Sequence, residues 1–379
     1  MPRRVLVVSV SAGAGHLRAA QAVTEALAAA HPDVTVKNID CMEHCLGLFR
    51  HAYAGLYLRM ADRAPWLWRY IYGKSARQQP SGWMARVERW IERLSCGKLV
   101  RLAAEFAPDE ILCVHPLPLH VFLALKRRGK LSARVSVATT DFDLHPLWTG
   151  PGVDRYFASC EEIAHYLERA GAEPKAITVT GIPIVPVFAQ PVPPAERARL
   201  RKEFMLADGR PTVLASAGGF GVGRVARAIR TVMNAAHRAG GADVLVVAGR
   251  NEKLRAEIHG LPAPAGVRLC VFGFVTNMHE LTAAADLIVT KPGGLTASEC
   301  LARALPMILL DPIPGQEESN ATYLLEHGAA WQARDLAMLD YKVGRLLAQP
   351  EQLAAMRKAA EKLARPRAAF EIAKVLATG

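Results

Sequence analysis

The hydrophobic pattern of the chain alternates short apolar runs with longer segments of helical periodicity. The first run, Val5–Val10, ends at a glycine-containing turn, and an alanine-rich stretch follows from about His16 to Ala30. A strand, a glycine turn and a helix in this order open a Rossmann-like unit. Ten further apolar runs are predicted to be strands: Val34–Ile39, Glu110–Val114, Val135–Thr139, Arg155–Ala158, Ile177–Thr180, Thr212–Ser216, Asp243–Ala248, Arg268–Phe272, Leu287–Val289 and Met307–Leu310.

Strands that alternate with helices predict an α/β protein with mostly parallel sheets and helices on both faces. The segment Gly181–Pro194 holds five prolines and cannot continue a helix, so we expect the chain to change domain there. A length of 379 residues suits two domains. We predict a Rossmann-like domain over 1–185, a linker over 186–200, a second Rossmann-like domain over 201–350, and C-terminal helices over 351–379.

Positive charge is concentrated in one segment. The chain carries 47 Lys and Arg against 35 Asp and Glu, and Leu48–Ala103 alone holds eleven basic and three acidic residues with four of the six tryptophans. Trp and Tyr favour the lipid headgroup layer, and basic side chains are attracted to anionic lipids. Gly82–Arg101 is therefore predicted to be a helix that lies in the interface, the alternative being an amphipathic helix packed on its own core. The predicted membrane-binding residues are Trp66, Trp68, Trp83, Arg86 and Trp90.

The sequence contains no membrane span and no recognised secretion signal. No apolar run reaches the ~18 residues that cross a bilayer, and the first run is too short for a signal peptide. The seven cysteines include no CxxC pair, which is typical of reduced thiols. No nucleic-acid-binding motif is present. We expect a cytoplasmic protein that binds the cytoplasmic membrane peripherally, with anionic lipids and not nucleic acid as its partner.

Two glycine turns in the chain follow predicted strands at domain starts. The first, Ser11–His16, lacks the third glycine of a dinucleotide fingerprint but places His16 at a helix start, where a catalytic base can act. A histidine that only caps the helix is the alternative. The second turn, Gly218–Gly223, allows backbone amides to approach a phosphate closely, although such turns also serve tight packing.

A third glycine turn carries the most specific pattern. Gly293 and Gly294 follow a strand and precede a helix predicted to begin near Thr296, whose amides and hydroxyl would bind a pyrophosphate. Glu299 lies one turn further, where its carboxylate can accept both hydroxyls of a ribose. A capping box between Thr296 and Glu299 is the alternative.

The next predicted strand ends in a polar cluster that includes Gln316 and Glu317. Open α/β sheets bind ligands at the carboxyl ends of their strands, so these side chains could hydrogen-bond a hexose. Asp141 and Asp143 have the spacing of a metal-binding pair but lie in the other half of the chain. A diphosphate bound at a helix start needs no metal, so we predict neither a metal nor a cofactor.

At these motifs the chain resembles the GT-B glycosyltransferases that make glycosyl-diacylglycerols, namely processive diacylglycerol glucosyltransferases and monogalactosyldiacylglycerol synthases. It resembles more distantly the peptidoglycan enzyme that adds N-acetylglucosamine to lipid I. The resemblance implies two Rossmann-like domains that face a cleft, with the donor on the second. The segments that carry it are Val5–His16, Thr139–His145, Gly181–Ile184, Gly218–Gly223, Ala248–Asn251, Gly273–Asn277, Lys291–Glu299 and Pro312–Asn320.

The resemblance also implies an activity: inverting, metal-independent transfer of a hexose from a UDP-sugar to 1,2-diacylglycerol or a glycosyl-diacylglycerol at the inner membrane surface. His16 would be the base, with Gly15, His115, Asp141 and His145 on the acceptor side. Phe274 and Val275 would bracket the uracil, Glu299 would bind the ribose, and Gln316 and Glu317 the hexose. The implied donor-binding residues are Gly218, Gly219, Gly223, Arg250, Phe274, Val275, Lys291, Gly293, Gly294, Thr296, Glu299, Pro314, Gly315, Gln316, Glu317 and Asn320.

Three other functions fit parts of this pattern. The acceptor could be a polyprenyl-diphosphate-linked sugar, although the turn at Gly218–Gly223 lacks the serine-glutamine pattern of that enzyme. A UDP-sugar 2-epimerase shares the fold, and a non-enzymatic UDP-sugar sensor would keep the donor site without needing His16. The residues do not distinguish glucose, galactose and glucuronate as the transferred sugar.

Overall fold

The computed structural model describes residues 2–11, 14–45, 97–216, 225–310 and 312–379. These residues form two compact units, each built on a six-stranded sheet in which every strand pair is parallel. The predicted α/β class with two parallel sheets is confirmed. The first unit comprises Met1–Ala189, Ile313–Gln316 and Arg365–Gly379, and the second comprises Gln190–Pro312 and Glu317–Ala364.

The sheet of the first unit has the strand order β2-β1-β3-β4-β5-β6. Val5, Leu6, Val7 and Val8 of β1, an interior strand of this sheet, are fully buried, as expected of a parallel sheet covered on both faces. The strands are β1 Arg4–Ser9, β2 Thr35–Asp40, β3 Glu110–Cys113, β4 Arg134–Ala138, β5 Arg155–Ala158 and β6 Ile177–Val179. The helices between them are α1 Ala14–Ala30, α2 Gly97–Phe106, α3 Pro116–Arg127 and α4 Glu161–Arg169.

The last helix of the chain, Ala368–Thr378, belongs to the first unit and packs against α1. The segment that leads into it passes close to Gly181. A Cβ atom on Gly181 would lie 2.4 Å from Cβ of Arg365, and the φ angle of this glycine is +91°. Both facts require a glycine at this position, which gives a structural reason for the first residue of the Gly-Ile-Pro-Ile motif.

The sheet of the second unit has the strand order β12-β11-β10-β7-β8-β9. Its strands are β7 Thr212–Ser216, β8 Ala242–Val247, β9 Val267–Phe272, β10 Leu287–Thr290, β11 Met307–Leu310 and β12 Ala330–Ala333. Its helices are α5 Pro194–Glu203, α6 Val225–Arg238, α7 Glu252–His259, α8 Met278–Ala284, α9 Gly294–Ala302, α10 Gln316–Glu326, α11 Leu336–Ala348 and α12 Pro350–Leu363, and the last helix of the chain is α13. The core of this unit is aliphatic and lies between the sheet and its helices.

The two units do not coincide with the predicted domain boundaries, and Ile313–Gln316, inside the predicted domain 201–350, belongs to the first unit. The predicted linker 186–200 contains a 3-10 turn, Pro186–Ala189, and the first residues of α5. Pro194 occupies the first turn of α5, where a missing N–H has no cost, so a proline-rich segment can still start a helix. The predicted C-terminal helices 351–379 divide between the two units, α12 with the second and α13 with the first.

Each sheet contains a point where the order of strand addition reverses. This point lies between β1 and β3 in the first sheet and between β7 and β10 in the second. Open α/β sheets bind ligands beyond the carboxyl ends of the strands at such a point. The loops there are the ones that carry His16, His115 and the turn Lys291–Gly293. Among the helices that the structure describes, none has the length and apolar character to cross a bilayer.

Candidate active site

His16 lies in the first turn of α1, just beyond the carboxyl end of β1. Its Nδ1 atom is 2.8 Å from the backbone carbonyl oxygen of Val114, which follows the neighbouring strand β3, and 3.2 Å from Oγ1 of Thr140. A carbonyl oxygen can only accept, so Nδ1 carries the proton and donates it to Val114. The neutral ring therefore keeps its lone pair on Nε2, which is the atom that a general base would use.

The charge state of His16 depends on burial and on one carboxylate. Burial lowers the pKa of His16, while the Asp141 carboxylate and the Val114 carbonyl partly oppose this effect. Asp141 follows β4, and its backbone carbonyl accepts a 2.7 Å hydrogen bond from Oγ of Ser159, which follows β5. The hydrogen bond between the segments after two adjacent strands thus holds Asp141, whose carboxylate raises the pKa of His16. Because burial has the larger effect and lowers this pKa, the imidazole is neutral at neutral pH.

His115 and His145 have a different hydrogen-bonding pattern. Each begins a His-Pro-Leu tripeptide, and each Nδ1 accepts a hydrogen bond from the backbone N–H two residues later: Leu117 at 3.0 Å and Leu147 at 3.2 Å. The first caps α3 and the second caps the 3-10 turn Pro146–Trp148. Burial lowers the pKa of both rings. Their neutral form must carry the proton on Nε2, so both histidines have a capping role that His16 does not have.

Several of the predicted acceptor-side residues come together at this edge of the first sheet. The rings of His16 and His115 meet edge to face with centroids 4.7 Å apart, and the buried ring of Trp148 lies 6.4 Å from His16. Gly15 precedes His16 in the first turn of α1. Thr140, Trp148 and the Val114 carbonyl were not predicted. The repeated His-Pro-Leu tripeptide was a sequence signal for the two capping histidines.

In the second unit, α9 begins at Gly294, two residues before the predicted position. Gly293 precedes the helix in an extended conformation, with φ −69° and ψ 136°, and has no side chain with which to cap it. Thr296 is the third helical residue and not the cap, so the alternative of a Thr296–Glu299 capping box is wrong. The first amides of a helix lack intrahelical partners, and the dipole adds positive potential there. This helix start can therefore bind a phosphate through its backbone.

The turn before α9 is supported by a buried amide. Asn320 of α10 is fully buried, and its Nδ2 donates a 3.0 Å hydrogen bond to the backbone carbonyl of Pro292. Asn320 was predicted to contact the donor, but this hydrogen bond assigns its amide nitrogen to holding the turn. Glu299 lies within α9 and is 5% exposed, whereas Lys291 and Thr296 are half-buried.

The start of α10 follows β11, the strand next to β10. Gln316 and Glu317 occupy its first turn and are half-buried, after Pro314 and Gly315. Gly315 has a φ angle of +94°, a conformation that favours glycine and lets the chain turn sharply into the helix. Both residues therefore follow β11, the strand next to the one that leads into the turn before α9, and their predicted contact with a hexose stays a prediction.

Arg250 and Phe274 form an exposed stacked pair on the loops after β8 and β9. The Arg250 guanidinium carbon lies 4.7 Å from the ring centroid of Phe274, whose side chain is 60% exposed. Val275 beside it is half-buried. A large exposed aromatic ring at the carboxyl edge of a parallel sheet provides a flat surface on which a nucleobase can stack.

Some predicted residues lie outside the described part of the chain. They are the glycines of the second turn and the membrane-binding residues: Gly218, Gly219, Gly223, Trp66, Trp68, Trp83, Arg86 and Trp90. Within the described residues, no three His, Cys, Asp or Glu side chains are grouped as a metal site would require.

The family model described as Monogalactosyldiacylglycerol (MGDG) synthase matches residues 16–184, and that described as Glycosyltransferase family 28 C-terminal domain matches residues 221–372. The chain is 32% identical over 385 residues to the probable chloroplastic monogalactosyldiacylglycerol synthase of Nicotiana tabacum, covering 98% of this chain and 70% of that protein. It is 27% identical over 377 residues to the processive diacylglycerol beta-glucosyltransferase of Staphylococcus saprophyticus, covering 99% of this chain and 92% of that protein.

Solved structures share the fold over the full length of the chain. MurG of Acinetobacter baumannii superposes with a TM-score of 0.59 at 15% identity, covering 99% of both chains. The UDP-GlcNAc 2-epimerase of Neisseria meningitidis, bound to UDP-GlcNAc, superposes with a TM-score of 0.62 at 13% identity, covering 100% of both chains. At these identities the likeness concerns the fold alone, and it confirms the predicted GT-B architecture.

Proposed function

The chain belongs to the monogalactosyldiacylglycerol synthase family, and on that premise we propose that it transfers a hexose from a UDP-sugar to 1,2-diacylglycerol or to a glycosyl-diacylglycerol. As a member of this family it is an enzyme, a UDP-sugar:diacylglycerol hexosyltransferase. We further propose that the transfer inverts the anomeric configuration, requires no metal, and takes place at the cytoplasmic face of a membrane.

The observation that carries the proposal is the hydrogen bond from Nδ1 of His16 to the Val114 carbonyl. It leaves Nε2 as the proton acceptor, whereas the nearby His115 has its Nδ1 occupied by a helix cap. A general base must be unprotonated at the working pH, and the lowered pKa of His16 meets that requirement. Of His16, His115 and His145, only His16 has its Nδ1 bonded to a carbonyl oxygen, which leaves Nε2 free to accept a proton.

The reaction then proceeds by one displacement. Nε2 of His16 takes the proton of the acceptor hydroxyl as its oxygen forms a bond to the anomeric carbon. The bond from that carbon to the β-phosphate oxygen breaks, and UDP leaves with the electron pair. Attack from the face opposite the leaving group inverts the configuration. His115, with its proton on Nε2, is suited to donate a hydrogen bond near the same acceptor.

The departing diphosphate gains negative charge in the transition state, and we assign its stabilisation to the start of α9. Backbone amides and a helix dipole are preorganised there and need no reorientation as charge develops. This is why no metal is required by the proposal. We assign the ribose to Glu299, the hexose to Gln316 and Glu317, and the uracil to the surface of Phe274 and Val275.

Incubation of the purified protein with radiolabelled UDP-glucose, UDP-galactose or UDP-glucuronate and diacylglycerol vesicles, followed by lipid chromatography, tests the proposal. Label should enter a glycolipid, and EDTA should leave the rate unchanged. Label that stays in a nucleotide sugar with a changed 2-position would indicate an epimerase. No label in diacylglycerol, with label transferred to a polyprenyl-diphosphate-linked acceptor in a parallel incubation, would indicate the other transferase class.

The assignment of the base is tested by His16→Ala in the same assay. Transfer should fall at least about a hundredfold, the lower end for loss of a general base, while UDP binding stays as in the wild type. The matched control is His165→Ala, which removes a histidine from α4, away from this edge of the sheet. Normal turnover by His16→Ala would rule out His16 as the base.

A further inference from the structure

A cavity of about 780 Å³ lies in the second unit at the amino ends of its strands. Its wall includes the loop before β7, Asp286 immediately before β10, and one face of α12. The turn that carries Gly293 follows the opposite end of β10, so the cavity is separate from the candidate donor site. Its volume falls within the range of roughly 300–1,000 Å³ that small-molecule sites occupy.

The wall of this cavity is strongly basic. Five cationic side chains line it against two carboxylates, Asp286 and Glu361. Apolar residues, among them Leu347 and Leu353, form another part of the wall. The cationic residues are Arg197, Arg201, Arg210, Arg357 and Lys358.

Asp286 is the centre of the cluster, but it is already held by the protein. Its Oδ2 accepts a 2.9 Å hydrogen bond from the backbone N–H of Thr212, and its Oδ1 pairs with Arg197 at 2.6 Å. Arg201 also lies near it at 3.5 Å, and its guanidinium donates to Oγ1 of Thr212 and to the backbone carbonyls of Ala284, Ala207 and Arg210. Arg201 is therefore a structural residue that ties the loops together.

The positive charge of Arg357 is much less neutralised by neighbouring carboxylates than that of Arg197. Within the part of the chain that the structure describes, its guanidinium makes no hydrogen bond, and its ion pair with Asp286 spans 3.9 Å. Burial lowers the pKa of Arg357, and the neighbouring Arg197 acts in the same direction, with Asp286 and Glu361 opposing them. Lys358, the next residue, is exposed and makes no ion pair with any described residue. Arg357 and Lys358 thus have no carboxylate within hydrogen-bonding distance among the described residues.

A corresponding cluster in the first unit shows what a purely structural arrangement looks like. Glu110 lies at the amino end of β3, is fully buried, and pairs with Arg3 at 2.8 Å, Arg155 at 3.4 Å and Arg134 at 3.7 Å. The carboxylate there occupies the middle of the arginines. In the second unit Asp286 sits at one side and is 24% exposed, so the arginines also face the cavity.

We propose that this cavity binds a phosphate-class oxyanion, with Arg357 as its principal ligand and Arg197, Arg210 and Lys358 around it. A guanidinium group can donate two parallel hydrogen bonds to the oxygens of a phosphate. A bound phosphate would therefore accept hydrogen bonds from the N–H groups of Arg357 that have no acceptor among the described residues. The anion can come from free phosphate, from a phosphorylated metabolite, or from a phospholipid headgroup whose glycerol lies against the apolar wall.

Calorimetric titration of the full-length protein with inorganic phosphate at constant ionic strength tests this proposal, and the binding that Arg357→Gln loses is assigned to the cavity. One phosphate should bind per chain. Arg357→Gln should weaken binding about tenfold or more, as expected for loss of a charged hydrogen-bonding partner, and Arg357→Lys should restore part of the affinity. Lys362→Gln is the matched control, because Lys362 is an exposed cation of the same helix that does not line the cavity.

Glycerol 3-phosphate and a short-chain phosphatidylglycerol below its micellar concentration distinguish the sources of the anion. Equal affinity for all three ligands indicates recognition of the phosphate group, and preference for the lipid indicates a headgroup site. No binding of any of them at millimolar concentration, or binding by Arg357→Gln equal to the wild type, would overturn the proposal. Since neither sugar donor nor acceptor is present, this result is independent of the outcome of the transfer assay.

Discussion

At the scale of single residues, the chemistry of the first unit depends on which ring nitrogen carries a proton. His16 donates from Nδ1 to the Val114 carbonyl, whereas His115 and His145 accept at Nδ1 from backbone amides. These three buried or half-buried imidazoles at one sheet edge thus divide into the proposed base and two capping groups. Residue type alone gives no means of telling them apart.

The pH dependence of the reaction follows from the surroundings of His16. The base must be unprotonated, so kcat/KM should fall as the pH drops through the pKa of His16, and burial places that fall below the ordinary value of about 6.5. The Asp141 carboxylate raises this pKa, so Asp141→Asn should shift the acid limb of the kcat/KM profile to still lower pH. Asp143→Asn is the control, because Asp143 acts on His145 instead. An acid limb that stays in place or moves to higher pH in Asp141→Asn would contradict this electrostatic role.

Sequence reasoning could identify His16 but not its partners. The glycine turn and the position after a strand mark His16 as a helix-start residue. The Val114 carbonyl and Thr140 reach it because β1 lies next to β3, and β3 next to β4, although the chain forms β2 directly after β1. The order of strands in the sheet differs from their order along the chain, so the sequence pattern does not predict which strands are neighbours.

At the scale of elements, burial on both faces explains why most strands could be predicted. Runs such as Leu287–Val289 are continuously apolar, as strands of a covered parallel sheet are, and their ends agree with the structure to within a residue. β12 was missed because Ala330–Ala333 reads Ala-Trp-Gln-Ala, without β-branched residues. It is an edge strand, and its extended conformation results from hydrogen bonding to β11 more than from its own composition.

The start of α9 provides a test of backbone recognition. Gly294 is the first helical residue, where proline is tolerated, and Gly293 before it already has the extended conformation that proline requires. Gly294→Pro should therefore keep the helix but delete one amide donor. We expect affinity for UDP, measured by calorimetry, to fall about tenfold or more, in the range of a hydrogen bond to a charged group.

Gly294→Ala is the matched control for that change. It adds a Cβ atom at the same place and retains the amide, so it shows how much of the loss comes from a side chain at this position and how much needs removal of the N–H group. If both variants bind UDP equally well, the diphosphate does not use this amide. If both lose binding to the same degree, crowding and not the lost donor is the cause, and circular dichroism would show whether the fold is kept.

At the scale of the whole molecule, the positive charge of the chain and the low solubility of diacylglycerol both favour action at a membrane surface. The chain has a net charge of +12, and Leu48–Ala103 combines most of this surplus with four tryptophans. Diacylglycerol resides in the bilayer, so an enzyme that uses it must work at the membrane surface. Residues 82–96 of the predicted interfacial helix Gly82–Arg101 lie outside the described residues, and residues 97–101 belong to α2. Its role at a membrane stays a prediction that a direct measurement must decide.

Replacing Trp83 and Trp90 together by serine should reduce co-sedimentation with phosphatidylglycerol vesicles and slow transfer to diacylglycerol in those vesicles. Indole rings anchor in the headgroup layer and basic side chains add attraction to anionic lipid, so raised salt should weaken binding of the wild type as well. Transfer to a short-chain diacylglycerol dissolved as monomers, and affinity for UDP, should remain at wild-type levels because neither needs the bilayer. A double variant with Tyr166→Ser and Tyr341→Ser is the control, since these aromatic side chains are 57% and 53% exposed but lie outside the basic segment. If the tryptophan variant sediments like the wild type, this helix packs on the protein's own core, and the enzyme must reach its lipid through another surface.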